Sequence, residues 1–203
     1  PPPTAHRAPD RRHDVELVSA VSVVAFGEGM VELSIGEAGQ ARIGIGGDTL
    51  NTAIYLARLK MPVSYMTALG HDPWSGRLRS ALASESVSQT LIATHPSRVV
   101  GLYGISLGLE GQRSFTYWRE NSAARAFFEC PESEQILGKA EAASLLLVSG
   151  ITLALFSVLE RRRIAALAKA VRARGGEVAF DPNHRPRLWS SLEAYQVAVQ
   201  EFA

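Results

Sequence analysis

Short apolar runs alternate with stretches of helical periodicity along most of the chain. The runs are rich in aliphatic and β-branched residues, are bounded by glycine, and predict buried strands: VSVVAF, VSYMTALG, ASLLLVSG and GGEVAF. Between them, apolar residues recur every three or four positions, which is the spacing of an amphipathic helix. Strands that alternate with helices predict an α/β core around a parallel sheet.

Two other pairs of segments alternate apolar with polar residues. MVELSI and QARIGI are joined by a glycine-rich turn, and VVGLYGISL and RSFTYWRE are joined by GLEGQ. Such alternation predicts strands with one face on the protein and one face in water. We expect these strands, at about 31–45 and 99–119, to form a small separate sheet that serves as a lid beside the core.

The helix pattern is clearest over residues 48–60, where Asp48 or Thr49 can cap the N-terminus. The predicted apolar stripe of this helix consists of Leu50, Ile54, Ala57 and Leu59. A second helix is expected to begin at Pro73 with Asp72 as its cap, because proline is favoured at the first helical position.

Composition excludes several classes of partner. The 203 residues are 46% hydrophobic and 20% charged, values typical of one soluble globular domain. Lys and Arg number 21 against 20 Asp and Glu, so the net charge of +1 creates no long-range field. We therefore predict neither a nucleic acid nor a membrane as partner, and any anion must be recognised locally.

The single cysteine, Cys130, excludes an internal disulfide and fits a reducing compartment. The longest apolar run is far shorter than the ~20 residues of a membrane span, so a cytoplasmic location is expected. The first residues, PPPTAHRAPDRRHD, have no apolar core, so they are no secretory signal. We interpret 1–20 as a disordered leader or a cloning remnant, and 21–203 as the folded domain.

The stretch GIGGDTLNTA places two glycines immediately before a predicted helix. Paired glycines let the backbone approach a ligand closely, and a helix N-terminus offers free N–H groups to oxygen atoms. Asn51 adds a side chain that both donates and accepts hydrogen bonds. A tight turn with a capped helix explains the pattern equally well.

The segment FTYWRE carries a second candidate site. Tyr117 and Arg119 lie on the same face of a regular strand, and Tyr103 lies on the strand before it. Arginine binds a carboxylate through two hydrogen bonds and tyrosine binds hydroxyls, so this set suits a hydroxylated acid. Aromatic packing across two strands is the alternative.

The segment FDPNHRPRLW follows the last predicted strand. In open parallel sheets, ligands bind at the carboxyl ends of the strands, and Pro186 stiffens the chain so that Arg185 can face an anion. We expect Asp181 to orient this loop and Trp189 to be structural. His184 alone is more typical of a loop residue than of a base, and no Ser–His–Asp set or metal-binding cluster emerges.

Together these segments resemble the ribokinase (PfkB) family of carbohydrate kinases, and most closely its members that act on 2-keto-3-deoxygluconate. The resemblance covers nearly the whole chain from about residue 23 onward. The segments that carry it are GEGMVELS, GGDTLNTA, MTALGHD, GLYGI, FTYWRENSAA, LLLVSGI and FDPNHRPRLW. The last of these and YWR are the most telling for the subgroup.

The resemblance implies a ribokinase-like three-layer α/β/α core with a β-sheet lid, and transfer of the γ-phosphoryl group of ATP, with Mg²⁺, to a sugar hydroxyl. It also implies a possible homodimer through the lid. The implied sugar-binding residues are Gly46, Gly47, Asp48, Thr49, Leu50, Asn51, Tyr103, Tyr117, Trp118, Arg119 and Arg185. The implied residues at the nucleotide are Asn183, His184 and Arg185.

The chain departs from the family pattern at its C-terminal end. The family's GAGD-type segment, which supplies the catalytic base and an anion hole, has no counterpart here, since no Gly-x-Gly-Asp sequence occurs. We therefore expect a truncated and inactive kinase fragment. Two alternatives remain open, namely a fructokinase or other ketose kinase, and a non-catalytic sugar-binding or regulatory protein.

Overall fold

The computed structural model describes residues 22–36, 40–107 and 112–203. Its larger sheet contains β1 (Val23–Phe26), β4 (Val63–Leu69), β5 (Ile92–Thr94), β8 (Leu145–Ser149) and β9 (Glu177–Asp181). These five strands are parallel and are ordered β5-β4-β1-β8-β9. The carboxyl ends of all five therefore meet at one edge, as the alternating sequence pattern predicts.

Helices cover both faces of this sheet. They are α1 (Asp48–Arg58), α2 (Pro73–Ser84), α3 (Ser133–Ala140), α4 (Gly150–Ala154), α5 (Val158–Ala173) and α6 (Leu192–Phe202), with 3-10 turns at Ala124–Glu129 and Pro186–Leu188. Alternation along β1 separates two cores, because Val24 and Phe26 pack with α3 and α5, whereas Val23 and Ala25 pack with α1 and α2. The result is the predicted three-layer α/β/α arrangement.

The smaller sheet contains β2 (Met30–Ile35), β3 (Ala41–Gly46), β6 (Gly101–Leu107) and β7 (Arg113–Trp118), ordered β3-β2-β6-β7. Both predicted hairpins are antiparallel, and a parallel pairing of β2 with β6 joins them. We call these four strands the small sheet. The turns predicted at 37–39 and 108–111 lie outside the described residues.

Local predictions succeed where a side chain acts on its own neighbours. The Asp72 carboxylate accepts hydrogen bonds from the backbone N–H groups of Trp74 and Ser75, so it caps α2 as expected. The predicted stripe of α1 is wrong at Leu59, which is 74% exposed because the helix ends at Arg58. A helix turns 100° per residue, so Leu59 also lies well off the face of Ile54.

Three further sequence expectations concern the leader, the cysteine and a membrane span. The proposed leader, 1–20, lies outside the described residues. Cys130 is a free, buried thiol whose pKa is raised by burial to about 11, which disfavours the reactive thiolate. Within the described ranges, no helix is both long and apolar enough to span a membrane.

Candidate functional site

The connection from β3 to α1 lies at the carboxyl edge of the core sheet. Gly47 is the N-cap of α1, and no side chain caps the helix there. The prediction that Asp48 or Thr49 caps α1 was wrong, because Asp48 is the first helical residue and accepts a hydrogen bond from the Ser149 hydroxyl at the end of β8. The first backbone N–H groups of α1 therefore have no side-chain acceptor.

Both glycines of this connection are required by close approach. A Cβ atom on Gly46 would lie 2.2 Å from the Tyr103 hydroxyl oxygen, and one on Gly47 would lie 2.4 Å from the backbone oxygen of Glu28. Neither distance is compatible with a side chain. The paired glycines thus let the chain pass close to Tyr103 and Glu28 where β3 leads into α1.

A rescue experiment tests the contact between Gly46 and Tyr103. We expect Gly46→Ala to lower the free energy of unfolding by about 1–3 kcal/mol through overpacking. Tyr103→Phe removes the clashing oxygen and leaves the ring carbon Cζ, 3.2 Å from the new methyl group, as the nearest atom. The double variant should therefore be more stable than Gly46→Ala alone in urea unfolding, and additive losses would contradict the contact.

One face of the small sheet carries an aromatic cluster. Glu32 lies opposite Tyr103 in the pairing of β2 with β6, and Tyr103 lies opposite Tyr117 in the pairing of β6 with β7. The ring centroids of Tyr103 and Tyr117 are 5.9 Å apart, and Phe115 stacks on Tyr117 at 6.4 Å. The structure thus brings together two of the predicted tyrosines on one face.

Glu32 was missed by sequence reasoning. The Tyr103 hydroxyl donates a hydrogen bond to the Glu32 carboxylate, and burial, followed by this bond, raises the pKa of the tyrosine hydroxyl. Tyr103 therefore stays protonated and remains a donor. Alternation along MVELSI could have placed Glu32 on the polar face of its strand, but only the pairing of β2 with β6 sets it against Tyr103.

Trp118 lies on the opposite face of the small sheet. It is 57% exposed and pairs with Leu102, next to the two tyrosine positions. Successive side chains of a strand point to opposite faces. A Trp118 contact with a ligand on the tyrosine face is therefore limited to its backbone.

Arg119 follows β7 directly and is almost completely buried, with a relative exposure of 6%. Its guanidinium forms an ion pair with Glu28, and its Cζ atom lies 5.8 Å from the centre of the Tyr117 ring. The Ser122 hydroxyl donates a second bond to Glu28. Burial raises the pKa of the Glu28 carboxyl, while Arg119 and Ser122 oppose that shift.

The loop after β9 lies at the same edge of the sheet. Asp181 pairs with Ser149 across β8 and β9, and a Cβ atom on Gly150 would lie 2.1 Å from the backbone oxygen of Pro182. The Asp181 carboxylate accepts a hydrogen bond of 3.1 Å from the Asn183 N–H, so it orients the loop as predicted. Ser149 also bonds Asp48 and therefore links this loop to the start of α1.

The polar residues of the loop have different environments. Arg185 is exposed, and its guanidinium contacts only the His184 carbonyl, at 3.5 Å, among the described residues. The ring centroids of His184 and Tyr195 are 4.4 Å apart, and the Arg161 Cζ atom lies 5.3 Å from the centre of the Trp189 ring. Trp189 is thus structural, as expected, and the Arg185 guanidinium has no ion pair within the described ranges.

The remaining residues of the first motif divide between core and surface. Thr49 and Leu50 lie on the buried face of α1. Asn51 is exposed and lines a groove with Ile45 and Tyr55 rather than contacting the tyrosine cluster. The structure therefore joins Gly46 and Gly47 to Tyr103 and Glu28, and it places the Asn51 side chain apart from them.

Comparison with known proteins identifies the class. A family model described as pfkB family carbohydrate kinase matches residues 17–202, so the chain belongs to this family. Within it, the chain is 39% identical over 184 residues to the 2-dehydro-3-deoxygluconokinase of Dickeya dadantii and 40% identical over 183 residues to that of Escherichia coli K12. A fructokinase of Vibrio alginolyticus is more distant, at 28% identity over 156 residues.

The fold comparison agrees. The solved 2-dehydro-3-deoxygluconokinase of Thermotoga maritima superposes with a TM-score of 0.76 at 26% identity, covering 89% of this chain and 56% of that one. The match to the Dickeya dadantii relative includes 89% of this chain, and the match to the Escherichia coli relative includes 88%. Each match covers 59% of the relative's own length. The chain thus spans about three fifths of the length of the curated relatives it matches.

Proposed function

We propose that the chain supplies the sugar-binding part of an ATP-dependent kinase for 2-dehydro-3-deoxygluconate, which is another name for 2-keto-3-deoxygluconate. The observation that carries this proposal is the cation beside the tyrosine cluster, since Arg119 lies 5.8 Å from the Tyr117 ring. A sugar acid has the matching groups, namely a carboxylate for the guanidinium and hydroxyls for Tyr103 and Tyr117. The identity to 2-dehydro-3-deoxygluconokinases supports the same substrate.

In this proposal the sugar occupies the space between the start of α1 and the tyrosine face of the small sheet. The backbone at Gly46 and Gly47 approaches it most closely, and the N–H groups at the start of α1 face its oxygen atoms. Thr49 and Leu50, which are buried, act by holding that backbone in place. Asn51 and Trp118 have supporting roles that require either a backbone contact or a change of side-chain position.

ATP is proposed to approach the loop after β9. Arg185 has an exposed guanidinium without an ion pair among the described residues, and Asn183 and His184 precede it. Phosphate oxygens match such a group, and phosphoryl transfer depends mainly on positioning and on neutralising charge. These loop residues therefore fit a phosphate group held between sugar and nucleotide.

Mg²⁺ is proposed to accompany ATP. Across residues 22–36, 40–107 and 112–203, no group of three His, Cys, Asp or Glu side chains could hold a metal ion. Mg²⁺ in kinase sites is bound by phosphate oxygens and only one or two carboxylates, so a protein cage is not needed. Asp48 and Asp181 already accept bonds from Ser149 and Asn183, and we assign neither as catalytic base.

We also propose a homodimer through the small sheet and a cytoplasmic location. On the sheet face opposite the tyrosines, Ile35 is 52% exposed and Trp118 is 57% exposed, and such exposed apolar side chains favour contact with a second copy of the chain. The free, buried Cys130 fits a reducing compartment. Sedimentation of wild type and Trp118→Lys tests the dimer, which the variant should weaken.

Calorimetry on the 203-residue chain tests the proposed function. We expect 2-dehydro-3-deoxygluconate to bind at least about tenfold more tightly than fructose, because only the acid engages the guanidinium. ATP is then added to the sugar complex. Equal affinities for fructose and the acid would favour the ketose-kinase alternative. Binding of the acid with no binding of ATP to the complex would favour a non-catalytic sugar-binding protein.

A further inference from the structure

Glu28 lies where the small sheet joins the core. The chain passes between them at four places, and each contacts this residue. Glu28 itself lies in the link from β1 to β2, and its backbone oxygen touches Gly47 in the link from β3 to α1. Its Oε1 atom is 2.8 Å from a Cβ built on Gly101, at the start of β6, and Arg119 and Ser122, which follow β7, bond to its carboxylate.

The ion pair at this junction is almost free of solvent. The side chains of Glu28 and Arg119 are 1% and 6% exposed, whereas the Arg58–Glu85 pair on the surface is 54% and 26% exposed. Removing two charges from water is costly, and such a pair often contributes less stability than apolar residues of the same volume. Its presence at this junction therefore calls for a role beyond stability.

The guanidinium of Arg119 is not fully used by this pair. The ion pair involves its Nη2 atom, and Nη2 and Nε are both buried and make no regular hydrogen bond within the described part of the chain. Arginine carries five N–H donors in a rigid planar fork. Glu28 thus holds one end of the fork beside Tyr117 and leaves other donors available.

We propose that Glu28 is a positioning residue, which fixes the Arg119 guanidinium at the base of the small sheet so that its remaining donors select an anionic sugar. The inference rests on the proposed function, because it gives Arg119 a sugar carboxylate to bind. Glu28 acts only through Arg119. An arginine that is already immobilised loses little side-chain freedom when the ligand binds.

The discriminating variant is Glu28→Gln, which keeps the size of the side chain and an acceptor for Ser122 but removes the charge that holds Arg119. Calorimetry should show 2-dehydro-3-deoxygluconate bound about tenfold more weakly than by wild type, with fructose binding changed less than about twofold. Glu85→Gln is the matched control, because it breaks the exposed Arg58–Glu85 pair and should change neither affinity.

Two further variants keep the test decisive if Glu28→Gln does not fold. Ser122→Ala leaves the ion pair intact and should weaken only acid binding, by about threefold. Glu28→Asp retains the charge on a shorter side chain and should restore part of the preference for the acid.

A second, ligand-free measurement is the exchange of the Arg119 Nε proton with water, which should be slow in wild type and faster in Glu28→Gln.

The outcomes separate the two proposals. If wild type prefers the acid and Glu28→Gln keeps that preference, or loses acid and fructose binding equally, Glu28 does not position Arg119. If wild type shows no preference for the acid, the proposed function fails at its first step. An Arg119 Nε proton that exchanges equally fast in wild type and variant overturns the positioning role whichever sugar binds.

Discussion

Replacing Arg119 with methionine is expected to lower the free energy of unfolding by about 3–5 kcal/mol, because it leaves the buried Glu28 carboxylate without its cation. The same variant should lose the preference for 2-dehydro-3-deoxygluconate over fructose. Urea unfolding gives the first quantity and calorimetry the second. This residue therefore couples the stability of the junction to the selectivity of the site.

The matched control is Arg58→Met, which removes the cation of the exposed pair with Glu85. Exposed pairs contribute little, so the cost there should stay below about 1 kcal/mol. The double variant Arg119→Met with Glu28→Gln should recover part of the stability, since no charge is then buried alone. Equal costs at Arg119 and Arg58 would show that burial of the pair has no energetic consequence.

The loss should also depend on pH with a definite sign. Burial already raises the pKa of the Glu28 carboxyl, and removing Arg119 raises it further. In the unfolded chain this carboxyl loses its proton near the ordinary pKa of 4.5, whereas in the folded variant it keeps the proton to higher pH. The free energy of unfolding of the variant should therefore fall as pH rises from 4.5 to the folded pKa. Arg119→Met/Glu28→Gln, which lacks this carboxyl, should not show that part of the pH dependence.

The sequence predicts those features of the fold that depend on neighbours along the chain. Alternation and apolar runs are read over a few residues, so both sheets and the Asp72 cap could be predicted. The tyrosine face follows from the same rule, because Tyr117 and Phe115 are two positions apart in one strand. A strand's own pattern is enough to assign each side chain to a face.

Contacts between distant segments could not be predicted in this way. Glu28 lies between two glycines and reads as a turn residue, although its partner Ser122 is 94 positions further along. Asp48 reads as a helix cap, yet its partner Ser149 is 101 positions away. Which of two possible hydrogen bonds an aspartate makes is decided by the parallel sheet, which brings the end of β8 beside the start of α1.

Gly47→Ala is expected to lower the free energy of unfolding by about 3 kcal/mol, because the added Cβ would meet a backbone atom rather than a movable side chain. The distance to the Glu28 oxygen is 2.4 Å, and Leu50 Cβ lies 3.2 Å away on the other side. Relief requires the link between β1 and β2 to move. Binding of 2-dehydro-3-deoxygluconate should weaken in parallel, since that link carries Glu28.

Two further variants test whether this cost is steric. Gly76→Ala, within α2, has no atom within 4 Å of the new methyl group and should stabilise the chain by up to about 1 kcal/mol. Gly47→Ser separates the steric effect from capping, because serine is a favoured N-cap and would stabilise α1 if capping alone mattered. We expect Gly47→Ser to be destabilised nearly as much as Gly47→Ala, whereas a stable serine variant would show that the junction can open without cost.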